Sequence, residues 1–110
     1  MKGRKAVRGS KTGRPIMALL DLVGRRWTLR IIWELRSEAL TSRALRERCD
    51  DISPTVLQSR LNELREAGFV DLTKTGYALT DIGRELMASM NMLYLFAERW
   101  AKAMKGKGEA

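Results

Sequence analysis

The chain has 110 residues, 45% of them apolar and 31% charged, a mixture that excludes a disordered polymer and suits one globular domain. Its net charge is +8 and it has no histidine, which argues for an anionic partner and against histidine-based metal or acid–base chemistry. No apolar run approaches the roughly 18 residues that span a bilayer, no apolar stretch follows the basic start as in a secretory signal, and the one cysteine, Cys49, cannot pair within the chain, so a cytoplasmic protein with no membrane partner is expected.

The charge is uneven. Residues 1–14 carry Lys2, Arg4, Lys5, Arg8, Lys11 and Arg14 and no acid. Lacking apolar periodicity, they read as a disordered basic arm, either solvated or drawn to phosphate. Residues 15–97 hold eleven basic and eleven acidic side chains, so the body is not a basic block.

Pro15 suits the first turn of a helix, and Ile16, Leu19, Leu20 and Val23 follow at helical spacing up to Gly24. A second helix is expected from about Trp27 to Arg36; it is apolar nearly all round, as a central buried helix is. Leu40 reads as a single strand residue. Thr41 is a good N-cap for a helix over Ser42 to Arg48, with Ala44, Leu45 and Cys49 inward. Asp50 and Asp51 form a turn.

Ser53-Pro54 is the sharpest start signal in the chain. Serine caps, and proline fits the first helical position because its missing N–H has no partner there. This helix runs to about Ala67 with Val56, Leu57, Leu61 and Leu64 inward, and Gly68 ends it. Residues 69–73 alternate like a strand, Thr75-Gly76 is expected as a tight turn, and Tyr77 to Leu79 return. Thr80 caps a final helix from Asp81 to about Met104. The order predicts a mainly α fold with a small β-hairpin, a winged helix-turn-helix domain over residues 15–104, followed by a basic C-terminal tail over 105–110.

The helix after Ser53 is the candidate recognition helix. Ser53, Thr55, Gln58, Ser59 and Asn62 are expected to face outward and read bases, because carboxamides match adenine's major-groove edge. The bland alternative is a polar solvent face. Arg43, Arg60, Arg65 and Lys74 are the candidate backbone contacts, with Arg25 and Arg26 behind them; each is otherwise a solvated charge or an ion-pair partner. The last helix carries a long apolar stripe that exceeds what a small core covers. A dimer interface is therefore expected from Ile16, Leu19, Leu20, Met90, Leu93, Ala97, Trp100 and Met104. A two-fold dimer spaces its recognition helices about 34–36 Å apart, one turn of DNA.

Several stretches together resemble the HxlR family of winged helix regulators, relatives of the MarR group, over about residues 14–104. They are Ala18-Leu19 through Leu22-Val23-Gly24-Arg25-Arg26-Trp27-Thr28-Leu29, Ile52-Ser53-Pro54-Thr55-Val56-Leu57-Gln58-Ser59-Arg60-Leu61, Leu64-Arg65-Glu66-Ala67-Gly68-Phe69-Val70 and Tyr77-Ala78-Leu79-Thr80-Asp81-Ile82-Gly83-Arg84. The resemblance implies a homodimer on palindromic operator DNA, with the first and last helices at the interface. Members of that family often carry a sensing cysteine before the first helix; here the matching pair is Arg14-Pro15, which rules out thiol sensing at that position. Cys49 falls where the family has an apolar core residue, and the wing is shorter than the family's.

Nothing in the sequence supports an enzyme or a cofactor. A winged helix that binds nucleic acid without sequence preference, or binds protein, is the alternative function. A small-molecule effector is a further possibility, with Trp33, Tyr94, Phe96 and Trp100 as candidate pocket residues.

Overall fold

A computed structural model describes residues 13–50 and 52–109. The expected basic arm falls outside the described residues up to position 12, as does Asp51. Five helices and a hairpin follow in the order α1 (Pro15–Val23), α2 (Thr28–Glu34), α3 (Ser42–Arg48), α4 (Pro54–Glu66), β1 (Val70–Thr73), β2 (Gly76–Leu79) and α5 (Asp81–Glu109). This is the winged helix-turn-helix order.

The local signals act as their chemistry requires. The Thr41 hydroxyl accepts from Ala44 N–H at 3.1 Å, and the Ser53 hydroxyl accepts from Val56 N–H at 3.1 Å. Thr80 Oγ1 accepts from Gly83 N–H at 3.1 Å and donates to the Gly68 carbonyl at 2.6 Å, so one hydroxyl closes the start of α5 and the exit of α4. Each cap supplies an acceptor to an N–H that has no partner within its helix.

Ile31 and Ile32 of α2, Leu45 of α3, Leu57, Leu61 and Leu64 of α4, and Val70 of β1 are almost wholly enclosed. Each such side chain contributes about 1.5–3 kcal/mol of hydrophobic burial. Leu40 is tied to Tyr77 by two reciprocal backbone hydrogen bonds, 2.9 and 2.8 Å long. The single strand residue before α3 thus becomes a third edge of the hairpin.

Four expectations shift. The second helix is shorter than Trp27 to Arg36, because Trp27 takes a left-handed backbone (φ 79°) and Leu35 leaves the helix as its C-cap. The first strand begins at Val70 rather than Phe69, whose N–H instead bonds the Leu64 carbonyl. The hairpin turn is Lys74-Thr75, not Thr75-Gly76: Thr73 pairs with Gly76, the first residue of β2. Glycine serves there for close approach, since a Cβ would lie 2.5 Å from the Leu40 carbonyl and φ is +130°. The last helix runs to Glu109, through the expected C-terminal tail; the Ala101–Lys105 stretch is rich in good helix formers.

Gly76→Ala should therefore destabilise the chain by about 2 kcal/mol or more, from backbone strain and contact with Leu40. Gly106→Ala, where an added methyl meets nothing within 4 Å, should be neutral or stabilising by about 0.5–1 kcal/mol. Urea denaturation separates the two; equal effects would contradict this packing.

Candidate nucleic-acid interface

The polar side of α4 is defined by its apolar side. Leu57, Leu61 and Leu64 face the core, and a helix repeats every 3.6 residues. Ser53, Thr55, Gln58, Ser59 and Asn62 therefore all come out exposed along one surface. Gln58 Nε2 donates to Asn62 Oδ1 at 2.9 Å. The bond leaves Gln58 Oε1 as an outward acceptor and the Asn62 amide as an outward donor.

The candidate cationic side chains divide into two groups. Arg43, at the second residue of α3, Arg65, in the last turn of α4, and Lys74, in the hairpin turn, are exposed. Arg60 is half-buried, with 18% of its side chain exposed. Its Nε donates to the Arg26 carbonyl at 3.0 Å and its Nη1 to both Glu63 oxygens at 3.0 Å. Arg25 reaches the same carboxylate at 3.7 Å. The Arg26 guanidinium lies 5.6 Å from the Trp27 ring centroid. The ion pair with Glu63, three residues on, is an open alternative in the sequence, but nothing there marks the bond to a backbone carbonyl 34 residues away.

Behind α4, Arg30 joins α2 to the end of α3. It donates to Glu34 at 2.8 Å and to the Arg48 carbonyl at 2.6 Å, and it lies 3.4 Å from Asp50. The Glu34 hydrogen bond holds the Arg30 guanidinium charge more firmly than usual. Cys49 is fully buried beside this group, and burial pushes its thiol pKa up, so the sulfur is a core atom and a poor nucleophile.

The four aromatic residues suggested for a pocket are not gathered in one place: Trp33 lines a cavity with Arg36, Leu79, Arg84, Met87 and Asn91. Trp33 and Tyr94 pack at 4.4 Å between centroids, and the Tyr94 hydroxyl donates to the Leu29 carbonyl at 2.7 Å; desolvation raises its pKa. Phe96 and Trp100 are exposed further along α5.

Of the expected interface residues, Leu19 and Met90 are half-buried against the core. Ile16, Leu20, Leu93, Ala97, Trp100 and Met104 are exposed. Within one chain α5 rests chiefly on α2 and β2, and α1 on α2. The first helix is thus not a main support of α5 inside the chain. From Leu95 to Gly106 every position is exposed, including Trp100 at 59%.

The HxlR-like helix-turn-helix family matches residues 22–105. Among solved structures, the quinone-bound YodB from B. subtilis is 27% identical, covers 76% of this chain and 96% of its own, and superposes with a TM-score of 0.71. A possible HxlR family transcriptional factor from Thermoplasma volcanium GSS1 is 26% identical over 81% of this chain and 86% of its own, TM-score 0.73. A putative MarR-family regulator from Enterococcus faecalis V583 shares the fold at 24% identity, covering 93% and 98%, TM-score 0.72. Among curated protein sequences there is no significant match.

Ser53→Ala removes the cap that orders the first turn of α4 and should cost about 1 kcal/mol, with faster amide exchange at Val56. An unchanged unfolding midpoint and unchanged exchange would contradict the assigned cap.

Proposed function

The chain belongs to the HxlR-like helix-turn-helix family, and from that membership we propose a sequence-specific transcriptional regulator that acts as a homodimer on palindromic DNA. Its family and the HxlR-type structure it resembles make it a DNA-binding transcriptional regulator and not an enzyme. Sequence-specific reading is supported above all by the outward pair on α4.

With Gln58 bonded to Asn62, the free oxygen and the free amide complement the N6 donor and N7 acceptor of adenine in the major groove. Ser53 and Thr55 extend this face toward the helix N-terminus, the end that reaches bases in helix-turn-helix proteins, and Ser59 lies between the pair. Arg43, Arg65 and Lys74 flank it as phosphate contacts, which fix register without reading sequence. The short turn at Lys74-Thr75 limits the wing to the backbone.

The second subunit accounts for the apolar surface. Ile16 and Leu20 of α1, and Leu93, Ala97, Trp100 and Met104 of α5, lie open to solvent in one chain. So large an apolar surface marks an interaction site. A second copy that meets α1 and α5 covers both and presents two α4 helices to successive major grooves. A cytoplasmic bacterial regulator is the setting for such a dimer. No helix among the described residues is long and apolar enough to cross a membrane. YodB was solved with a quinone; with Cys49 buried, electrophile sensing by that thiol is not part of the proposal.

The test is binding to duplex DNA from directly upstream of the chain's own gene, against a shuffled duplex of equal composition. The expected preference is about a thousandfold at near-physiological salt. Gln58→Ala with Asn62→Ala should reduce it at least about tenfold. A preference that survives the double substitution would remove this pair from base reading. Equal weak binding of the intact chain to both duplexes, and to fragments from the rest of the genome, would favour a module without sequence preference.

A further inference from the structure

Arg60 sits on the candidate recognition helix, yet its bonds run backward. Nε donates to the Arg26 carbonyl and Nη1 to both oxygens of Glu63. The accepting carbonyl belongs to the peptide that enters Trp27, a residue held at φ 79°. A bulky side chain occupies that backbone region only where its surroundings enforce it. Arg60 holds this peptide directly, and the Thr28 N–H bond to the Arg25 carbonyl at 3.2 Å closes the turn around it. Meanwhile the Glu63 carboxylate, one residue from Asn62, is neutralised by Arg60 and approached by Arg25 at 3.7 Å. An unneutralised carboxylate there would repel phosphate.

We propose that Arg60 is a positioning residue: it clamps α4 to the Arg26–Trp27 turn and so sets the angle at which Gln58, Ser59 and Asn62 meet DNA, without binding a phosphate itself. This inference rests on the reading of α4 as the recognition helix. The planar guanidinium makes it possible, because its fork serves a carbonyl and a carboxylate at once, whereas a lysine ammonium is a single point charge. The clamp also joins the reading helix to the α1–α2 connection.

Arg60→Lys is the discriminating substitution, since it retains the charge. The probes are a duplex enriched by the unaltered chain from a random library and a shuffled control, titrated over a range of salt. The unaltered chain is measured first; if it enriches no duplex and binds both probes equally, the recognition-helix reading fails and this inference fails with it. If it discriminates, Arg60→Lys is expected to lower the specificity ratio about tenfold while the slope of log K against log salt stays the same. A lysine that preserves the ratio would overturn the proposal. So would Arg60→Ala that preserves the ratio but lowers the slope by about 0.9, the signature of one lost phosphate contact. The thermal midpoint and the amide exchange of Trp27 and Thr28 are followed in each variant. The clamp predicts faster exchange at those two amides in Arg60→Lys, with the remainder of the chain unchanged; unchanged exchange there counts against it.

Discussion

Leu57, Leu61 and Leu64 fix the rotation of α4 about its own axis, and the function proposed for the chain depends on that angle. All three are buried almost completely, each at a cost of a few kcal/mol if turned outward. A rotation that withdrew Gln58 and Asn62 from the surface would drag a leucine into water. The caps at Ser53 and Thr80 then set where the helix begins and where the chain leaves it. Rigid scaffold on one side and an adaptable polar face on the other is the division of labour that base reading requires.

The same burial argument explains why one chain looks incomplete. The core is made by α2, α3, α4 and the hairpin, with α1 and the first half of α5 packed against it. A 29-residue α5 is about 43 Å long, and its second half extends past anything in its own chain to support it. Exposed Phe96, Trp100 and Met104 are costly there in isolation. In the proposed dimer, a second copy would cover these side chains and space two reading helices.

Much of this was legible in the sequence because it rests on local chemistry. Ser53-Pro54, Thr41 and Thr80 announce their helices through cap hydroxyls and a proline at the first helical position. The leucine spacing of α4 gives its inner face, and the single-residue bridge at Leu40 follows from its place between helices. What could not be read depends on long-range contact. Trp27 carries no sign of a left-handed backbone, since tryptophan rarely adopts one. Gly76 looks like a turn residue until Leu40 is found against it. Arg60 has the composition of a phosphate ligand, and only the Arg26 carbonyl and Glu63 show where it points. The last helix passes through Gly106, where helix propensity alone suggests an end.

The most direct test of a two-fold reader is selection of bound duplexes from a random-sequence library by the unaltered chain. The account predicts an enriched inverted repeat, with half-site centres about 10–10.5 base pairs apart and A·T pairs at the positions faced by Gln58 and Asn62. Enrichment of no motif, or of a lone half-site without an inverted partner, would contradict it.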